Sequence, residues 1–380
     1  MQYIKFENFI NSTQYGYTAE TTSPISGDAK YLRITDIVPY FVEKDRVPYC
    51  AIDASKVNKY LVHDGDVLIA RTGATTGYNL VVDDSFKNYV FASYLIRFNY
   101  DRKKLHPRYL KYVLKSPSWY GFVNNYIGGS AQPGMNARVF GKYYLPYTDF
   151  STQQKIASIL SAYDSLIENN KKRIKLLEQM AEDLYKEWFV RFRFPGYETA
   201  EFEGGVPKGW RIEKLGNVAN IRTGKCNRED AEEGGIFPLF DRSQEVKKSN
   251  TWLMDCEAII VPGEGTSFTP RYYEGKFNLH QRCYCVEPRQ KGTGKFLFYM
   301  LMFNKAYFLS VATGATVPSL RQNNFTKMKF IMPSFDLCRQ YDKHISLFFA
   351  EIESLSKQVE TLTHQRDLLL PRLMSGKLSI

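Results

Sequence analysis

Two long stretches of the chain place apolar residues at alternating intervals of four and three. The first runs through Ile156, Leu160, Tyr163, Ile167, Asn170, Ile174, Leu177, Ala181, Leu184 and Trp188. The second runs through Tyr341, Ile345, Phe348, Ile352, Leu355, Val359, Leu362, Arg366, Leu369 and Leu373. Each member of the second set follows its counterpart by 185 positions. This spacing is the a/d seam of a coiled coil, sustained in both copies over about four to five heptads. Asn170 and Arg366 are polar members of the seam; such a residue sets register at some cost in stability, or marks where the seam opens to a partner. Pro195, beyond the first stretch, and Pro371, near the end of the second, are the expected stops. Ile159, Leu166, Leu176, Leu347 and Leu368 lie off the seam and widen the apolar stripe, which predicts that partner helices complete a bundle.

The 185-residue period extends beyond the helices. Gly129, Pro133 and Phe140 stand against Gly314, Pro318 and Phe325. Each copy then reaches an apolar–Pro step, Leu145-Pro146 and Met332-Pro333, and a glutamine, Gln153 and Gln340. Before each helical stretch lies a block with strand-like runs and glycine-rich turns. Val67-Leu68-Ile69-Ala70 in the first block is set against Ala258-Ile259-Ile260-Val261 in the second, and Lys5-Phe6-Glu7-Asn8-Phe9 against Lys214-Leu215-Gly216-Asn217-Val218. The predicted architecture is a mixed α/β (α+β) fold: two globular domains in tandem, separated by two long antiparallel coiled-coil helices, with a pseudo-two-fold internal repeat. Its divisions are 1–150, 151–195, 196–335 and 336–380.

Charge narrows the class of partner. The 380 residues carry 51 Lys and Arg against 40 Asp and Glu, a net of +11. Of this, +5 falls in 1–150 and +4 in 196–335, with +2 and 0 in the helical segments. Polyanion binding is therefore expected on the globular blocks. No apolar run is long enough to span a membrane, and neither a secretory leader nor a disulfide framework is evident among six cysteines, so a reducing, cytoplasmic setting is expected. Paired antiparallel, helices of about 38 residues span roughly 57 Å. That is comparable to one or two turns of B-DNA at about 34 Å per turn, and suits two separated half-sites.

Four stretches resemble the specificity subunit of Type I restriction–modification enzymes. They are Leu184-Tyr185-Lys186-Glu187-Trp188-Phe189-Val190-Arg191-Phe192-Arg193-Phe194-Pro195-Gly196, Leu368-Leu369-Leu370-Pro371-Arg372-Leu373-Met374-Ser375-Gly376-Lys377-Leu378, the two junctions just described, and Val206-Pro207-Lys208-Gly209-Trp210 with Leu215-Gly216. The first block lacks the Pro-Lys-Gly-Trp opening. The resemblance implies that 1–150 and 196–335 are target recognition domains, each reading one half of a bipartite, asymmetric DNA site. It implies that 151–195 and 336–380 are conserved helices that fix the gap and dock two modification subunits. Those partners would bind S-adenosylmethionine and methylate adenine at N6, and restriction subunits would add ATP- and Mg-dependent cleavage. This chain would hold no cofactor and no metal, and would perform no catalysis.

The residues agree with a binding role. No Pro-Pro pair, Walker A loop, Gly-x-Gly-x-x-Gly, Pro-Asp or Gly-x-Ser-x-Gly motif occurs. His280, Cys283 and Cys285 have a zinc-like spacing but no second close pair, and the cysteines are expected to be small buried hydrophobes. In the first domain the DNA-contact candidates are Arg71, Thr72, Thr75, Tyr78 and Asn79, in a Gly-rich loop after a strand, with Arg33, Lys56 and Lys59. In the second they are Thr266, Arg271 and Tyr272 in the loop from Pro262, with Glu264 as an acceptor for cytosine N4, and Arg242, Lys247, Lys248, Arg321 and Asn323. The partner-facing seam is Ile156, Leu160, Ile167, Ile174, Leu177, Leu184 and Trp188 with Ile345, Phe348, Ile352, Leu355, Val359, Leu362 and Leu369. A coiled-coil scaffold or a regulatory DNA-binding protein without a methyltransferase partner fits the same pattern. A free-standing methyltransferase or nuclease is opposed by the missing motifs.

Overall fold

A computed structural model describes residues 1–22, 29–127 and 134–378. Gly129 and Pro133, two of the repeat markers, lie outside the described residues. The chain divides into two compact units, Met1–Lys172 with Ser356–Ile380, and Arg173–Leu355. The central helix, Phe150–Tyr185, begins in the first unit and ends in the second, and the C-terminal helix, Phe335–Met374, does the reverse.

In the first unit an antiparallel sheet runs in the order Ile10–Tyr15, Leu95–Tyr100, Val67–Ala70, Asn79–Val81. A second sheet pairs Ala29–Leu32 in parallel with Tyr89–Phe91. A ribbon of Gln2–Lys5 against Tyr144–Tyr147 leads into the central helix. In the second unit the corresponding strands form one six-stranded sheet, in which Met254–Pro262 lies between Cys283–Pro288 and Arg271–Leu279. Phe237–Phe240 pairs in parallel with Arg271–Leu279, and the ribbon recurs as Arg211–Lys214 against Lys329–Met332.

The two units repeat each other closely enough to correct the sequence alignment. Val67 and Ile69 face the core containing Trp119, whereas Leu68 and Ala70 face a smaller cluster with Leu32 and Phe91. In the second unit Ile259 and Val261 face the main core, and Ala258 and Ile260 the smaller one. Val67 therefore stands where Ile259 does, not Ala258, because a one-residue slip exchanges the two faces of a strand. The junction also shifts. Tyr144 pairs with Lys5 as Lys329 pairs with Lys214, so Leu145-Pro146 and Met332-Pro333 are not equivalent steps. Gln153 is fully buried; its carbonyl accepts from His106 N, and its amide donates to Lys104 O and Thr148 O, whereas Gln340 is exposed. The residue matching Gln153 at the helical offset is the buried Cys338.

Gly16 and Gly224 mark one shared constraint. A Cβ on Gly16 would lie 2.3 Å from Ala92 O, and one on Gly224 1.9 Å from Leu279 O. Only glycine lets these strands pass the neighbouring backbone so closely.

The seam residues enter the cores. In the first unit Ile156, Leu160 and Ile167 are buried, as are Leu370 and Leu373; Val359, Leu362 and Leu369 are half-buried. Asn170 donates to Gln358 Oε1 at 3.1 Å, and Arg366 pairs with Asp164 at 3.0 Å. In the second unit Trp188, Ile345 and Leu355 are buried, and Ile174, Leu177, Leu184, Phe348 and Ile352 half-buried. Here Tyr341 OH donates to Ala181 O at 3.3 Å, and Arg173 pairs with Glu351 at 2.6 Å. In each unit numbers rise along one helix as they fall along the other. The central helix closes in a π turn, Lys186–Val190, whose extra residue lets consecutive Trp188 and Phe189 both face the core. Pro195 lies beyond it. Pro371 does not stop the C-terminal helix, which continues to Met374 with the proline in its last turn. Leu166, Leu176, Leu347 and Leu368 are exposed, between 51% and 72%.

Candidate nucleic-acid interface

Each unit carries a polar loop after its buried central strand, and both loops are pinned in the same way. In the first unit Arg71 O accepts from Met135 N at 2.9 Å, and Thr72 bridges Gly134. In the second, Gly263 O accepts from Leu320 N at 2.8 Å, and Glu264 bridges Ser319. The pinning segments lead into equivalent short helices, Ala137–Gly141 and Gln322–Thr326, anchored by the fully buried Phe140 and Phe325. Two side-chain sets are thus displayed on one backbone frame.

In the first unit the frame presents Arg71, Thr72 and Thr75. The Arg71 guanidinium lies 5.0 Å from the centre of the exposed Tyr15 ring, and its buried Nε has no hydrogen-bond partner among the described residues. Tyr78 packs against Tyr120 at 5.7 Å. Asn79 corrects the sequence reading. It is 1% exposed, and its amide donates to Gly77 O and Leu114 O, so it fastens the loop from inside. Arg33 forks onto Asp36, with both contacts at 3.0 Å. Lys56 and Lys59 are exposed on the helix Ala54–Tyr60, with Lys59 over the Tyr60 ring.

In the second unit a pocket gathers Arg242, Glu264 and Thr266 with Arg228, Asp241, Ser243, Gln244, Ser267 and His280. Arg242 Nη1 donates to Glu264 Oε2 at 2.8 Å, and Arg282 reaches Oε1 at 3.2 Å. Burial pushes Asp241 up, but hydrogen bonds from Lys247 (2.5 Å) and Ser243 bring its carboxyl down to about 2. Burial, and then the charge of Arg242, holds His280 below the ordinary imidazole range. Two candidates are corrected here. Arg271 donates to Ser243 O at 2.8 Å and Asp241 O at 2.6 Å, so both Nη atoms hold this loop, and its Nε is buried without a partner among the described residues. Tyr272 points to the opposite face of its strand, where its OH donates to Glu257 at 2.8 Å and its ring meets Phe298 and Phe349. Lys248 is exposed beside the pocket strand, and Arg321 and Asn323 are exposed on the short helix and its cap. Cys283 and Cys285 are buried with Phe240 and Phe277. Sequence reasoning missed Arg228, His280 and Arg282 as members of this cluster, because only the sheet brings them to the loop. Among the described residues no cluster of His, Cys, Asp or Glu could hold a metal, and no helix is long and apolar enough to cross a membrane.

One family profile, the Type I restriction modification DNA specificity domain, matches the chain twice, over residues 28–179 and 207–360. The chain belongs to this family. Among its relatives is the MjaIX specificity subunit of Methanocaldococcus jannaschii, 25% identical over 309 residues, 72% of this chain and 69% of the relative. The MjaVIII specificity subunit of the same organism is 22% identical and covers all of this chain and 98% of its own. The fold is also that of the restriction–modification S subunit from M. genitalium, with a TM-score of 0.61 and 18% identity over 98% of this chain and 95% of that one. As a specificity-family chain with two matched domains, the molecule carries DNA sequence specificity for a Type I restriction–modification system.

Proposed function

We propose that each globular domain, with its pinned loop, reads one half of a bipartite, asymmetric DNA site. The observation that carries this reading is the duplicated frame with divergent side chains: Arg71 and Thr72 in one copy, Gly263 and Glu264 in the other, bonded through the same backbone atoms. One frame with two chemistries is suited to two different half-sites. The two long helices act as an antiparallel coiled-coil spacer that sets the gap. Their exposed leucines, which water does not favour, dock two modification subunits. Those subunits supply S-adenosylmethionine and methylate adenine N6, restriction subunits bring ATP and Mg, and this chain does no chemistry of its own. It works in the cytoplasm, with the DNA. The divisions at 150, 195 and 335 serve as the functional boundaries.

The test is a methylome. The chain is expressed with a Type I modification subunit in a host free of adenine methylation, and N6-methyladenine is mapped by sequencing. A single bipartite motif with a fixed gap, lost when this chain is omitted, is the expected result. Absence of any such motif, with both proteins soluble and co-purifying, overturns the reading.

A further inference from the structure

We infer that Arg242 and Glu264 act as one unit that reads a single G·C base pair in the half-site assigned to the second domain. The inference rests on the proposed function and adds a base identity to it. Arg242 is half exposed and spends one Nη on Glu264, at 2.8 Å. Among the described residues it has no other hydrogen-bond partner, so its remaining N–H donors are available. Glu264 is largely buried; its second oxygen is held by Arg282 at 3.2 Å.

The backbone beneath both side chains is fixed. Gly263 N donates to Arg282 O at 2.8 Å and Gly265 N to Pro318 O at 3.0 Å, bracketing Glu264. The Arg271 guanidinium grips the carbonyls of Asp241 and Ser243, the two residues flanking Arg242. The pair is therefore rigid before any ligand arrives, and little ordering entropy is lost on binding.

The chemistry selects a base edge rather than a phosphate. In the lining Arg228 and Arg242 stand beside Asp241 and Glu264, and the Glu264 carboxylate bonded to Arg242 repels a phosphate oxygen that the guanidinium alone would attract. A base edge is uncharged and mixes donors with acceptors. In the major groove a G·C pair presents guanine N7 and O6 as acceptors beside the cytosine N4 donor. A guanidinium beside a carboxylate matches that edge: Arg242 donates to N7 and O6, and Glu264 accepts from N4. An A·T pair offers a donor and an acceptor side by side but no two adjacent acceptors for the guanidinium fork. The first domain carries Thr72 at the position of Glu264, so the device belongs to the second domain alone.

R242A and E264A, each co-expressed with the modification subunit, are read by the same methylome, with thermal unfolding as the check on folding. Both are expected to relax the same G·C position of the second half-site, by roughly 10- to 100-fold in discrimination. The first half-site and the gap stay as in wild type. R242Q, which keeps a donor but cannot span N7 and O6, is expected to relax that position too. Relaxation at an A·T pair, relaxation at different positions in the two variants, an unchanged motif, or a uniform loss across all sites from a folded variant each overturns the inference while leaving the bipartite reading intact. Failure of the wild-type chain to impose any bipartite motif overturns both.

Discussion

Arg366 and Asp164 form a 3.0 Å ion pair within the first unit, and both are about 95% buried. Lys111 (2.6 Å) and the hydroxyls of Tyr112 (2.8 Å) and Tyr40 (3.3 Å) also donate to the carboxylate, and the Tyr40 ring covers the guanidinium at 3.9 Å. The pair thus joins both long helices to the globular part of that unit. Burial pushes the Asp164 carboxyl up, yet these cations and hydroxyls leave it below its ordinary range. Removing Arg366 leaves the buried carboxylate with Lys111 as its remaining cation. R366M is expected to destabilise the first unit by about 1.5–3 kcal/mol, whereas K111M/D164L/R366M, which removes both cations together with the carboxylate, recovers most of that loss. Denaturant unfolding of the two variants beside wild type checks it. A triple variant no better than the single one would mean that the loss comes from packing around Arg366 and not from the carboxylate.

Lys115 sits over the Tyr40 ring at 5.0 Å. Burial first, then the neighbouring Lys111, hold its amine down to about 8 against an ordinary 10.5. A lysine whose folded pKa is lowered opposes folding while it is charged in both states, below about pH 8. The penalty fades as pH rises toward 10.5, because the folded chain has shed the proton that the unfolded chain still holds. K115M is therefore expected to be more stable than wild type by about 1–2 kcal/mol at pH 7. The difference should shrink steadily above pH 8, as followed by thermal melts across that range. A constant difference would remove the titration from the account.

On the proposed bipartite reading, Arg71 offers a test confined to the first half-site. Its guanidinium stacks by the exposed Tyr15 on a loop pinned by Met135. R71A is expected to reduce discrimination or occupancy in the first half-site by roughly 10- to 100-fold and to leave the second half-site untouched. The methylome distinguishes this from a general phosphate contact, which would weaken all sites alike.

The exposed leucines give a docking prediction. L166E and L368E in the first unit, and L176E and L347E in the second, alter side chains that are already in water. Their effect on stability should stay within about 0.5 kcal/mol. Co-purification with the modification subunit should fall sharply. Undiminished co-purification by all four would exclude this face as the docking surface.

The seam and its 185-residue echo were legible because heptad spacing survives divergence of the individual residues. The choice of Val67 and Ala258 as equivalents failed because both runs are buried on both faces, and such runs carry no alternation to fix their phase. The glutamines at 153 and 340 misled for another reason: shared residue type stood in for shared position. Among the site residues, glycines and hydroxyls pointed to Thr72 and Glu264, which the structure sets on two equivalent loops. Asn79, Arg271 and Tyr272 were not separable from their neighbours, since a polar side chain that braces a loop from within looks, in sequence, like one that faces a ligand. Arg228 and Arg282 carried no local signal at all, and His280 carried one only for a metal, through its spacing to Cys283 and Cys285.

The buried ion pair also bears on how the two halves of the chain have diverged. At the helical offset Asp164 corresponds to Phe349, and Arg366 to Ala181. One end of the duplication therefore has a salt link where the other has an aromatic ring and a methyl group. A truncated product carrying only the first half, pairing its central helix with that of a second copy, would set Asp164 against Ala181: the carboxylate would keep Lys111 from its own half and lose its arginine. The salt link between the two long helices is therefore a property of the intact chain.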